Sequence, residues 1–460
     1  MLAEALRLTT SQEDIDELTA QLEAELKECE ATTVSYKNKL KQFMMENDIW
    51  QISELNYYWR EKYCEYLKNR MSKTSCELYI KTFDRVKLHS LRKQPQIILA
   101  GKRQRLEYAD EILYLPYHPN IEIAERFCRE NNKNLLAWDF TLIAAEKLKR
   151  QIFQVLHYFI ENAANSERMH AQLGGLARLY DFCILEQIED LEKLEIDQIE
   201  RFQKTFTTEY QRHYYAGVTY WCGRALFMEA EEIHWDANVW YMERMHLQPE
   251  RIDPAAPIMS LSFAEVTNKE NRKLLQKYLR YGIGIANLSI SSLRTEFLVV
   301  RKFLGDMNQP ETENICMVTE QQMDAWLRSE QQREVQADTF NKKVMCILHF
   351  FQYLQIKDYI TAIPFDPNYY LKKTFMQHHD RSVAQETMDQ IRRNLYRFPE
   401  EVRLMYLHLW GVGLRISEVC TLKGNAYYLQ GKDAWIQVYQ IKMRTYKRIP
   451  IPMTLYRLMQ

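Results

Sequence analysis

Apolar residues return at helical spacing along most of this chain. Ile15, Leu18, Leu22 and Leu26 mark a first helix, with Thr10 and Glu13 spaced as a capping box at its start. The stripe is narrow, so a helix packed on its own domain accounts for it better than a coiled-coil seam. Residues 47–91 predict two or three more helices, anchored by Trp50, Tyr58, Tyr63, Tyr66 and Leu67. Leu148, Ile152, Val155, Leu156 and Phe159 form one clear apolar face. Two later helices are marked by Leu293, Phe297, Val300 and Leu304, and by Phe340, Val344, Ile347, Phe351 and Leu354. Ser291-Ser292 and Asp338-Thr339 stand where their caps are expected. Val383, Met388 and Ile391, then residues 402–409, predict two helices more.

Prolines and a change of period break this pattern. Pro95, Gly101, Pro116 and Pro119 fall in residues 92–119, which read as irregular chain or a short hairpin. Pro249, Pro254 and Pro257 rule out a continuous helix over 248–258 and mark a linker. Past residue 430 the period becomes two. Residues 435–442 predict a strand, 443–446 a turn and 447–452 a returning strand, whose prolines suit a sheet edge. The expected fold class is mainly α and multidomain. It has a helical region over 1–247 with a break near 92–119, the linker, a helical module over 259–375, and a part with a small antiparallel sheet over 376–460.

Composition adds little to this picture, and charge distribution adds more. The 460 residues carry a net charge of −1, so the chain as a whole is no generic polyanion binder. Residues 1–60 hold 12 acidic against 6 basic side chains, whereas residues 372–460 hold 15 basic against 7 acidic. A basic C-terminal part points to a polyanion there. The amphipathic helices of 259–375 carry Arg294, Arg301, Lys302, Lys342 and Lys343 off their apolar faces, which suits them to a DNA backbone. Lys102, Arg103 and Arg105 form a smaller cluster better read as a solvated loop. The aromatics Tyr214, Tyr215, Tyr220, Trp221, Trp235, Trp240 and Tyr241 lack matching basic residues, and packing accounts for them better than base stacking. The nine cysteines show no C-x-x-C spacing, and His378-His379 has no ligand spacing, so neither a disulfide framework nor a metal or other cofactor is expected. No signal sequence and no long apolar run is visible, which predicts a cytoplasmic protein without membrane contact.

The chemistry gathers near the end of the sequence. Gly411-Val412-Gly413-Leu414-Arg415-Ile416-Ser417-Glu418 places an arginine on a glycine-bearing turn that enters a helix. Lys442 follows on the hairpin, with Arg444, Lys447 and Arg448 beside it. A guanidinium offers a planar pair of donors to two oxygens of one phosphate, which an ammonium cannot imitate. The pattern G-x-x-x-R-I-S-E-x-x-x-L, then a lysine hairpin ending in I-P-I-P, resembles the first arginine box and lysine hairpin of tyrosine recombinases and phage-type integrases. Residues 259–375 are similar to that family's core-binding domain, and the long N-terminal region resembles its large, transposase-type members from bacterial mobile elements.

The resemblance implies site-specific recombination or integration by DNA cleavage and rejoining through a phosphotyrosine, without metal. Arg415 would neutralise nonbridging oxygens, Lys442 would protonate the departing 5′ oxygen, and Glu418 would hold the basic side chains in orientation. Arg444, Lys447 and Arg448 would contact DNA, and further protomers would assemble on the duplex. Residues 376–460 would be the first half of an α+β catalytic domain. In the family a His-x-x-Arg box and the tyrosine nucleophile follow the hairpin. Tyr456 stands only fourteen residues after Lys442, too near to be that nucleophile. The expectation is therefore a partial site with no nucleophile in the chain. Two readings stay open: a piece of a strand-cleaving recombinase, or a catalytically inactive DNA-binding module or truncated product of a mobile element.

Overall fold

The computed structural model describes residues 12–29, 33–68, 70–93, 98–99, 102–103, 107–129, 135–284, 288–307, 309–310, 313–375, 382–440, 443 and 445–459. The chain is mainly helical with small antiparallel sheets, and it divides into two compact units. The first comprises Met1–Leu191 and Ile199–Leu226, the second Glu192–Gln198 and Phe227–Gln460.

The first unit starts with α1 (Gln12–Glu28), α2 (Val34–Glu46), α3 (Tyr57–Lys68) and α4 (Lys73–Lys93). Leu22, Leu26, Leu40, Phe43, Tyr63, Leu67 and Phe83 make their shared core. Tyr58 belongs to the exposed surface rather than to that core, because α3 turns Tyr63 and Leu67 inward instead. Thr10 of the expected capping box lies outside the described residues. The break holds a hairpin of β1 (Ile98–Leu99) and β2 (Lys102–Arg103), with Ile98 opposite Arg103. Arg105 lies outside the described residues. β3 (Ile112–Tyr114), α5 (Ile121–Cys128) and β4 (Ala137–Asp139) follow, with β3 and β4 paired antiparallel. Next come α6 (Glu146–Asn162), α7 (Ser166–Leu185), α8 (Ile196–Lys204), α9 (Glu209–Tyr214) and α10 (Val218–Glu229), of which α8 from Ile199 and α10 up to Leu226 belong to this unit. All five apolar positions of the α6 face are buried, each worth about 1.5–3 kcal/mol of transfer free energy.

In the second unit β5 (Val239–Tyr241) pairs with β6 (Ser260–Ser262), so the proline-rich stretch runs between two bonded strands. It is a loop folded back on its own unit. Arg251 fastens it by donating to the carbonyls of Ile283 at 2.6 Å, Gly282 at 3.1 Å and Leu288 at 2.9 Å. The first two are last-turn carbonyls of α11 (Lys269–Gly284), left without helical partners. α12 (Ile290–Met307), α13 (Glu320–Gln332) and α14 (Ala337–Ile356) complete the bundle. Every apolar position anticipated on α12 and α14 is buried. Their caps differ from expectation. Ser289 Oγ accepts the Ser292 N–H, and Gln336 precedes α14 without a side-chain cap while Asp338 sits inside the first turn. Of the aromatics, Trp240 and Tyr241 are buried and Trp235 packs on Trp240, whereas Tyr220 is exposed.

The C-terminal part contains α15 (Gln385–Asn394), α16 (Glu400–Gly411), α17 (Ile416–Cys420) and α18 (Met453–Met459) around one sheet. That sheet has the order β7 (Tyr427–Gln430), β8 (Asp433–Gln440), β9 (Thr445–Ile451), all antiparallel. Gly431, with φ of 67°, supplies the left-handed residue that the tight β7–β8 turn requires. Alternation along β8 buries Ala434, Ile436 and Val438 against Leu414, Tyr427 and Ile451. No helix among the described residues is long and apolar enough to cross a membrane.

Candidate phosphate-binding site

Delivery of Arg415 begins in α16. His408 is buried there, and its ring donates from Nδ1 to the Leu404 carbonyl at 2.6 Å, so Nε2 accepts from the Tyr427 hydroxyl at 2.8 Å. This contact pins α16 to β7. The carbonyl of His408 accepts N–H groups from both Val412 and Leu414 at 3.3 Å, which wraps the chain sharply as the helix ends. Gly413 makes the wrap possible with φ of 72°, a conformation that other L-residues adopt at a cost.

Arg415 then opens α17 in extended conformation, its carbonyl accepting from Val419 N at 3.0 Å. Arginine is a poor N-cap, and Glu418 compensates. One carboxylate oxygen accepts the Arg415 backbone N–H at 2.8 Å; the other accepts guanidinium Nη1 at 2.8 Å and the Gln440 amide at 3.3 Å. Burial works to raise the pKa of Glu418. The Arg415 N–H and guanidinium outweigh it, with help from Gln440, and hold the carboxyl below its ordinary range. The Glu418 side chain is 5% exposed and that of Arg415 58%, so the carboxylate lies beneath a guanidinium that faces solvent. Nη2 and Nε of Arg415 have no protein partner among the described residues.

A cleft of about 160 Å³ opens beside this pair, lined by Gly413, Leu414, Arg415 and Glu418 on one side and Val438, Gln440, Lys447 and Ile449 on the other. Lys447 shares its strand face with Ile449 and buried Ile451, so β9 turns it toward the cleft. Arg448 takes the opposite face of β9. Lys442 and Arg444 lie outside the described residues, as do His378 and His379. Among the described residues no group of three or more His, Cys, Asp or Glu side chains could hold a metal ion.

The basic residues of the helical module separate into two kinds. Arg294 and Lys342 are exposed and make no ion pair among the described residues. Arg301 donates to Ser262 O at 3.0 Å and pairs with Glu265 at 3.0 Å, and burial lowers its pKa below that of a free arginine. Lys302 and Lys343 converge instead on buried Glu330, at 3.6 Å and 2.6 Å. Gln440 and the His408–Tyr427 contact went unanticipated. Strict alternation from Ile436 through Val438 does put Gln440 on the core face, so that signal was present in the sequence. Nothing local marks a histidine as the partner of a tyrosine nineteen residues away.

Comparison with known proteins finds distant relatives among transposases. Transposase B of transposon Tn554 from Staphylococcus aureus strains Mu50 and N315, and transposase B of PsiTn554 from the same species, are each 22% identical over 231 residues. The match covers 49% of this chain and 36% of each transposase, so the chain spans little more than a third of their length. No family model matches, and no solved structure matches significantly. The chain is thus a distant homologue of transposases of mobile elements.

Proposed function

We propose that this chain acts in transposition or site-specific recombination, binding duplex DNA and seating a backbone phosphate against Arg415. The observation that carries the reading is the paired hold on Glu418. One arm of the guanidinium is fixed by a buried carboxylate, and its other N–H groups face a cleft that Lys447 also lines. Such a donor is already oriented before phosphate arrives, which is how charge developing on nonbridging oxygens is stabilised without reorganisation. Homology to the Tn554 transposases supports the DNA-directed role.

The finer reading is a tyrosine recombinase. A tyrosine oxygen attacks phosphorus, a phosphotyrosine forms, and the 5′ oxygen leaves with a proton from Lys442. Residues 259–375 serve as the core-binding domain, residues 376–460 form part of the catalytic domain, and protomers assemble on the duplex. No tyrosine lines the cleft among the described residues, so the nucleophile is brought to Arg415 from outside this constellation. The test is a gel-shift titration with duplex DNA at low salt. Wild-type chain should retard the duplex, and Arg415→Ala should weaken binding several-fold and lower the salt slope by about one. Arg415→Lys should restore the charge without restoring the affinity. No retardation at any concentration would sink the reading.

A further inference from the structure

Glu330, in the last turn of α13, is almost fully buried at 2% exposure, yet three cations reach it from separate parts of the bundle. Lys343 of α14 lies at 2.6 Å, Arg333 just past α13 at 2.8 Å, and Lys302 of α12 at 3.6 Å. A fourth, Lys372, donates to the Gln331 carbonyl at 2.9 Å at the negative end of the α13 dipole. Its position is fixed by paired 2.8 Å bonds between its backbone and the Asn341 amide. The carboxylate is hidden while the cations are not. Side-chain exposure is 45% for Lys302, 49% for Arg333 and 22% for Lys343. Asp306 shares Lys302, and the exposed Glu334 and Asp338 make no ion pair with any of the four.

Glu330 and Asp306 together set two paired negative charges against these four cations. Solvent therefore meets a cluster of N–H donors held over a concealed anion, with positive charge in excess. We propose that Glu330 is a positioning residue, and that Lys302, Arg333, Lys343 and Lys372 form one array docking the sugar–phosphate backbone of duplex DNA. This rests on the DNA-binding reading above, and it assigns part of the contact to a site away from Arg415. A buried anion gathers long, mobile side chains beforehand, so less conformational entropy is lost when phosphates bind. Arg333 and Lys372 belong to this array although nothing in the helical periodicity marks them.

The experiment measures binding of a fluorescent duplex across a salt series, using the full chain. Glu330→Gln decides between two kinds of effect, because it removes a negative charge. If the carboxylate merely offsets the cations, Glu330→Gln tightens binding; if it positions them, affinity falls several-fold despite the added net charge. Arg333→Ala and Lys372→Ala should each reduce the slope of log affinity against log salt by about one. Lys432→Ala, at the β7–β8 turn and outside the array, should leave both quantities unchanged. Thermal melting checks that all three variants fold; should Glu330→Gln not, Arg333→Ala and Lys372→Ala decide alone. Unchanged slopes in those two, with wild-type chain binding DNA, overturn the array and leave the Arg415 reading standing. No binding by wild type overturns both. An array that these variants show to bind RNA or anionic vesicles but not duplex DNA overturns the assigned partner.

Discussion

Arg415 holds the carboxylate of Glu418 twice, through its backbone N–H and through its guanidinium, each at 2.8 Å. One contact caps a helix and the other aims a side chain, so local folding and the orientation of the guanidinium depend on the same carboxylate. Glu418→Gln keeps the shape and removes the charge. It should destabilise the C-terminal part by about 1–2 kcal/mol, a charge-assisted bond discounted for the solvent exposure of Arg415. It should also weaken duplex binding, because the guanidinium loses its fixed orientation. Denaturant titration of both proteins, with gel-shift, checks the two effects together.

The same carboxyl sets an acid limit. Its pKa in the fold is depressed, so the stability it contributes is fully present above the ordinary carboxylate value. That stability is lost as pH falls through the depressed value. Glu418→Gln should therefore flatten the acid side of a stability–pH curve followed by tryptophan fluorescence, and leave the neutral side parallel to wild type.

Much of this was legible from the chain. The buried faces of α6, α12 and α14 follow from spacing alone, since apolar residues at helical intervals have one low-energy way to leave water. The β8–β9 hairpin and the arginine turn follow from period and glycine. What could not be read is long-range or compensatory. Arg251 caps a helix more than thirty residues away, which turns an apparent linker into a folded loop. Two of the basic residues expected at DNA, Lys302 and Lys343, are drawn to Glu330 instead of standing free, and periodicity has no term for a buried acid on a neighbouring helix.

Gly413 offers a test of delivery rather than of chemistry. A Cβ there would meet nothing within 4 Å, so Gly413→Ala costs backbone strain alone, about 1–2 kcal/mol at φ of 72°. The turn should relax toward negative φ and carry Arg415 with it. Duplex affinity should then fall toward that of Arg415→Ala while helix content by circular dichroism stays unchanged. An affinity equal to wild type would show that the turn does not place the arginine.

In the first unit, His118 and His157 meet through their Nε2 atoms at 3.1 Å. His118 Nδ1 accepts the Asn120 N–H and His157 Nδ1 donates to Phe153 O, so His118 Nε2 must carry the shared proton. Burial, then the neighbouring His157, lowers the His118 pKa to about 4. The unfolded chain takes up a proton near pH 6.5 that the folded chain refuses until about 4, so stability falls as pH drops across that window. The loss is on the order of 3 kcal/mol once pH is below both values. Amide protection factors at α5 and α6, corrected for the intrinsic exchange rate, should fall as pH drops from 6.5 to 4, and His118→Asn should remove that dependence.

The last expectation concerns strand cleavage by this chain alone. On the proposed reading the cleft offers Arg415 to a phosphate, but among the described residues those lining it include no tyrosine, serine or cysteine. Neutralising nonbridging oxygens lowers a barrier only when something attacks phosphorus, and removing one member of a set that acts together costs nearly its whole effect. A nicked duplex that traps covalent intermediates should therefore be bound by the 460-residue chain, yet give no protein–DNA band on a denaturing gel. Were a band to form, mapping its peptide would name the nucleophile. Arg415→Ala would then have to abolish the band, because a nucleophile acting elsewhere would leave it in place. A covalent band indifferent to Arg415 would remove the cleft from the chemistry altogether.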